Sequence, residues 1–399
     1  MAGVRTPRFP LLCFGFVLCG IVTVLPGPLL PVLAGHWGLR DVQSGAFFTA
    51  EFAASTVGSI VSPRRVRVSL PTGYAMMTLG VVLLVFAERA MAVATGHALA
   101  LAGFALIGLG IGLSVTATNV TVGGALAESG AGGRARRLSI VNLWWVIGSV
   151  ACPWMVAAAE RGHAIPALLV LVGAGSLGMF LALAPLLGMR AVVGTAARRE
   201  PLAAEVRVLA FFAVFLFLYV GVETVVGGWI TTYTHRFSGM TLEDASLTVS
   251  LYWLALLAGR GLGSVALRRV PERTILLTGM AVALAATMTL MQPHSTAAVL
   301  IAVAVAGFGF GPVFPVGVAR MLARIADHRN TGWVFALCAS GGAVLPWLTG
   351  LVSTQSGSLR MGFAVPVAAL AAILALAGTE NALLRGEPGA RPGNTSLKG

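Results

Sequence analysis

Residues 206–234 read VRVLAFFAVFLFLYVGVETVVGGWITTYT. A helix needs about 20 apolar residues to cross the hydrocarbon core of a bilayer, and this run exceeds that length with a single carboxylate, Glu223, near its middle. A charged side chain at such depth is costly and is retained where it has a task. The stretch therefore reads as a membrane span with a polar purpose.

Runs of the same kind extend in both directions. Hydrophobic residues make up 57% of the 399 positions and charged residues 10%, against about 25% charged in an ordinary soluble domain, which excludes a water-soluble fold. Apolar stretches alternate with short loops carrying Arg, Pro and Gly. They place spans at 11–34, 43–62, 70–87, 97–126, 138–159, 165–187, 206–234, 244–266, 274–292, 297–319, 332–353 and 361–383. The expected fold is an all-α membrane protein of twelve transmembrane helices.

The net charge of +13 would fit a nucleic-acid partner if the basic residues formed one patch. They alternate by loop instead. With the amino terminus in the cytoplasm, most of the 27 Lys and Arg fall on the cytoplasmic side, in clusters such as Arg64, Arg65 and Arg67, or Arg134, Arg136 and Arg137. Arg40, Arg89, Arg161, Arg236 and Arg360 fall on the outer side, and Arg260 lies within a span. This asymmetry is the positive-inside pattern. It predicts both termini in the cytoplasm, the lipid bilayer as surroundings and no nucleic-acid partner. Lys398 is the one lysine, a bias that reads as a GC-rich bacterial genome and places the chain in a bacterial inner membrane.

Residues 1–25 imitate a secretory signal, with Arg5 and Arg8 ahead of an apolar run. Cleavage is not expected, because this segment has an internal partner later in the chain. Cys13, Cys19, Cys152 and Cys338 all fall inside spans without paired ligand spacing. They read as packing residues, and neither a metal nor another cofactor is expected.

The internal partners form an ordered series. Gly20, Thr23 and Val24 match Gly221, Thr224 and Val225; Gly58 and Ser59, then Arg64 and Arg65, match Gly263 and Ser264, then Arg268 and Arg269. Gly108, Gly110 and Gly112 match Gly307, Gly309 and Gly311, and Gly148, Pro153 and Trp154 match Gly341, Pro346 and Trp347. Repeated bundles of this kind are a transporter architecture. The expected organisation is a six-helix bundle over 1–187, a cytoplasmic linker over 188–205, a second six-helix bundle over 206–384 and a tail over 385–399.

Three charges lie at depth: Glu51, Glu223 and Arg260. A carboxylate in a cavity between helices is suited to taking up and releasing a proton, so Glu223 and Glu51 are candidates for proton coupling or solute binding. Tyr219, Glu223 and Gly227 share a helix face, as do Asn142, Trp145 and Ser149. Asn119 adds an amide at depth. Such groups can hold a hydroxylated solute by hydrogen bonding and ring stacking, although each taken singly also fits an interhelical hydrogen bond. Arg260 precedes Gly261 and Gly263 and reads as a structural gate, together with Arg64, Arg65, Arg268 and Arg269. Pro26, Pro28 and Pro31, and again Pro312 and Pro315, are expected to break or bend their spans.

The segment Tyr219-Val-Gly-Val-Glu-Thr-Val-Val-Gly-Gly-Trp229 is similar to the Gly-x-Glu then Gly-x-Trp pattern of the fucose permease-like group of the major facilitator superfamily. Thr116 to Asn119, Asn142 with its following aromatics, and Leu251 to Arg260 resemble the same group. The resemblance implies two six-helix bundles, a central cavity, alternating access, and import of a sugar-like solute with protons, with Trp229 among the solute-binding candidates. It also implies a working monomer without enzyme activity. The group's fucose carriers look to acids in the first and fourth spans, where this chain has none and Asn119. Glu51 and Glu223 then take over coupling, or another driving force or solute applies. Two rival functions remain: an exporter of drugs or apolar metabolites, and a transport-dead membrane sensor.

Overall fold

The structure, a computed structural model, describes residues 7–124, 130–188, 203–292, 295–324 and 332–384. The expected tail and most of the expected linker lie outside them. The described residues are helical, with no strand among them. The first half contains α1 (Phe9–Val24), α2 (Pro26–Trp37), α3 (Asp41–Val61), α4 (Val66–Glu88), α5 (Val93–Gly124), α6 (Gly130–Arg161) and α7 (Ile165–Leu183). The second contains α8 (Ala203–Phe237), α9 (Leu242–Ala266), α10 (Glu272–Thr289), α11 (Thr296–Phe310), α12 (Val313–Leu322), α13 (Gly332–Ser356), α14 (Leu359–Gly362) and α15 (Ala364–Leu384).

Two interruptions fall where the prolines predict. The first span divides into α1 and α2 at Pro26, and the tenth into α11 and α12 at Gly311 and Pro312. Proline has no N–H to donate to the preceding turn and its ring crowds that turn.

Among the described residues, ten helical stretches are long and apolar enough to cross a membrane. The expected second and ninth spans are helical, as α3 and α10, but fall short in apolarity. For α3 the reason is its position between α5 and α13. Its polar side chains meet protein instead of lipid: Thr49 donates to the Ala343 carbonyl at 2.7 Å, and Glu51 is 1% exposed. A helix shielded in this way needs no apolar surface all round.

The matched glycines of the two halves pack alike. α1 lies on α6, and α8 lies on α13; α3 lies on α5, and α9 on α11; α4 lies on α7, and α10 on α15. A Cβ added to Gly148 would strike the Val17 carbonyl, and one added to Gly341 would strike the Phe217 carbonyl at the corresponding place. Small residues at these crossings let two backbones touch, which is how helices associate where lipid removes the hydrophobic incentive. All four cysteines are buried and free.

Candidate functional site

Among the described residues the halves meet through α3 with α13 and α8, α6 with α9, and α2 with α8 and α9. Between them lies a cavity of about 170 Å3. Phe48 and Phe52 of α3, Trp145 of α6 and Trp253 of α9 form aromatic walls. Thr23 and Thr224, matched residues of the two halves, lie at corresponding points on α1 and α8, and Gly27, Gly227 and Gly228 add small residues to the lining. Both threonine hydroxyls turn back on their own helices, Thr23 to the Cys19 carbonyl and Thr224 to the Val220 carbonyl, each at 2.7 Å. The Trp145 and Trp253 rings meet edge to face with centroids 5.5 Å apart. Trp253 Nε1 is buried and has no hydrogen-bond partner among the described residues.

Glu223 is the charged residue of this lining. The Tyr219 hydroxyl, one helical turn earlier, lies 3.0 Å from Glu223 Oε1. Arg260 of α9 brings Nη2 to 3.6 Å from the same oxygen. Tyr252 donates to the Glu223 backbone carbonyl at 3.3 Å. A carboxylate held by one hydroxyl and one guanidinium can exchange its cation for a proton with little rearrangement, because either satisfies the same oxygen.

At the Asp41 end of α3 the two halves are fastened together. Arg236, in the last turn of α8, grips the Asp41 carboxylate with both arms at 2.7 Å, and Ser353 of α13 donates to the same carboxylate. The Val42 amide donates to Thr354 at 2.9 Å, and Arg161 pairs with Asp244 at 3.2 Å. Below this layer Gly27 faces the backbone of Gly227 and Gly228, and Phe48 covers Gly228.

A helical fold with repeated pairings and a cavity where its halves meet is found in several transporter lineages. The family model described as Major Facilitator Superfamily matches residues 12–346. The chain belongs to the Major Facilitator Superfamily.

It is a multi-pass membrane protein of this superfamily, whose matched relatives are transporters and not enzymes. A glucose/galactose transporter of Brucella abortus biovar 1 (strain 9-941) is 25% identical over 173 residues, 43% of this chain. The match spans 42% of that relative's length. FucP, a superfamily transporter solved in the outward conformation, shares 19% identity with a TM-score of 0.62, covering 93% of this chain and 97% of FucP. A bacterial homologue of the human lysosomal transporter Spinster, solved inward-facing and occupied, shares 14% identity with a TM-score of 0.74, covering 98% of this chain and all of that one. At these identities the structural likeness shows the superfamily fold.

Within this superfamily fold the expected site residues separate into groups. Glu223 and Trp145 line the cavity, and Tyr219 and Arg260 hold Glu223. Arg260, expected as a gate, thus joins the candidate coupling group. Glu51 lies outside the lining, its backbone packed on Gly108 of α5, with neither carboxyl oxygen hydrogen-bonded among the described residues. Asn119 is half-buried outside the lining and its Oδ1 has no partner there. Asn142 is exposed, although it shares a helix face with Trp145. Trp229 is sealed between α8 and α13, donating Nε1 to the Pro346 carbonyl at 3.1 Å. Arg65, Arg268 and Arg269 are exposed at helix ends, and the Arg64 side chain lies outside the described residues.

Sequence reasoning missed three groups. Trp253 follows Tyr252 in a quoted motif, yet nothing in its period distinguishes it as cavity-facing. Asp41 falls two residues ahead of the expected second span, where the sequence gives it no partner. Glu380, inside the expected twelfth span, is 3% exposed and receives Arg320 Nη2 on both oxygens at 2.9 and 2.8 Å, with Arg324 at 3.0 Å. A search for acids within the last span would have found it.

Proposed function

We propose that the chain is a secondary active transporter that moves a small, polar, sugar-like solute across the bacterial inner membrane by alternating access, coupled to protons and working as a monomer. Its two six-helix bundles, 1–187 and 206–384, rock about the cavity, with the linker 188–205 and both termini in the cytoplasm. The Asp41 end then faces outward, and the closed layer there belongs to an inward-facing state. Solute enters between the aromatic walls, whose ring faces suit the C–H side of a pyranose.

The observation that carries the reading is Glu223, held by Tyr219 and Arg260 at the wall of the cavity. Protonation removes its charge and frees Arg260, so proton and solute act on one site between α8 and α9. The names of the matched relatives, a glucose/galactose transporter and FucP, support a sugar. Glu51 has no solute-facing position and would act as a second proton acceptor behind the cavity.

Proteoliposomes test this. Hexoses or deoxyhexoses applied outside should drive proton entry in the wild type, and Glu223→Gln should abolish it while leaving solute exchange. No sugar response from folded protein would sink the reading. A second reading is favoured by the lining itself: four aromatic rings, three glycines and threonine hydroxyls turned away also fit export of flat apolar compounds. Efflux of a hydrophobic dye without any sugar-driven proton movement would establish it.

A further inference from the structure

The Tyr219 hydroxyl has two neighbours and one proton. It lies 3.0 Å from Glu223 Oε1 and 2.9 Å from the backbone carbonyl of Phe310. A phenol donates one hydrogen bond and can accept others, while a carbonyl and an ionised carboxylate only accept. Tyr219 therefore cannot serve both at full strength while Glu223 is ionised. A protonated Glu223 changes the count: its own O–H donates to Tyr219 Oη, and Tyr219 donates onward to Phe310. Every group is then satisfied.

Phe310 is the last residue of α11, immediately ahead of the break at Gly311 and Pro312. Pro312 has no N–H to offer the preceding turn, so the break depends on contacts from other helices. Tyr219 supplies such a contact from α8, and its ring also packs edge to face on Phe310 and against Phe314 of α12, with centroids 6.0 Å away in each case. Tyr219 is fully buried, which keeps water from replacing either partner.

Resting on the reading of Glu223 as the proton site, we infer that Tyr219 is a positioning residue that relays the protonation state of Glu223 to the α11–α12 break. With the proton on Glu223, the chain Glu223 to Tyr219 to Phe310 ties the break to α8. When the proton leaves for solvent, Tyr219 turns its hydrogen to the carboxylate, Arg260 pairs with Glu223, and the break is released. Among the described residues, the other titratable groups within electrostatic reach of Glu223 are Tyr252 and Arg260 of α9 and Cys338 of α13. Tyr252 donates to the Glu223 backbone and not to its carboxyl, so it does not substitute for Tyr219.

The test reads the distance between spin labels at Val206 of α8 and Ala323, the residue that follows α12, both exposed at helices that pack together, in full-length protein in nanodiscs from acid to mildly alkaline buffer. The wild type should show a pH-dependent distance. Glu223→Gln, whose amide N–H donates to Tyr219 as the protonated acid does, should hold the acid-side distance throughout. Tyr219→Phe keeps the ring and removes only the hydroxyl, and should hold the alkaline-side distance. A wild-type pH response retained in either variant overturns the relay, as does a wild type without one. Sugar-driven proton uptake, measured alongside, separates the two ideas: a pH-dependent distance without uptake sinks the symport reading and leaves the relay standing.

Discussion

Arg236 and Asp41, 195 residues apart in the chain, form a two-armed ion pair at 2.7 Å per arm that fastens the end of α8 to the start of α3. Asp41 is 8% exposed and the Arg236 side chain 37%. The carboxylate also sits at the first turn of α3, where free amides favour negative charge. Since the two residues belong to different halves, the pair must break if the halves part at this end.

Asp41→Asn should therefore weaken the closed layer. A hydrogen bond to a charged group contributes about 1.5–3 kcal/mol. With Arg236 part-exposed, solvent screening reduces this to the order of 1–2 kcal/mol, a roughly five- to thirtyfold change in population. Spin labels at His36 and Ser356 should report a longer distance in the variant. An unchanged distance distribution would show that the glycine and aromatic layer below, Gly27 with Gly228 and Phe48, keeps the end shut alone.

Trp253→Phe retains the ring against Trp145 and removes the buried, unpartnered Nε1–H. If the solute supplies its acceptor, uptake should show KM raised roughly two- to tenfold, the worth of one neutral hydrogen bond, with the maximal rate preserved. Equal KM values would mean that no solute oxygen reaches this nitrogen.

Glu380→Gln should lower thermal stability more than either change above. Arg320 and Glu380 are both nearly buried, at 9% and 4% side-chain exposure, and removing one member of such a pair leaves an uncompensated charge at a cost of about 3–5 kcal/mol. Arg320→Met combined with Glu380→Leu should recover part of that loss in a detergent melting curve. A double variant no better than the single one would assign the loss to packing.

Membrane spans were legible because span length is set by the bilayer and written into consecutive residues. So were the helix breaks at Pro26 and Pro312, which depend on proline's own ring, and the alignment of Tyr219 with Glu223, which follows from one turn of one helix. The glycine matches between halves were legible because close backbone approach excludes other residues at Gly148 and Gly341 alike.

The same helical period misjudged Asn142, which shares a face with Trp145 yet lies exposed, and it carried no sign that Glu51 is buried outside the cavity lining. Period tells which residues of a helix look the same way; it does not tell what that face meets. The sequence by itself thus determined a helical membrane protein with an acid, Glu223, at depth. Only the tertiary structure decided that Arg260 and Tyr219 hold that acid, that Trp253 walls the cavity and that Arg236 finds Asp41. These contacts join separate helices, and the packing that brings such helices together is a property of the whole chain, not of any one segment.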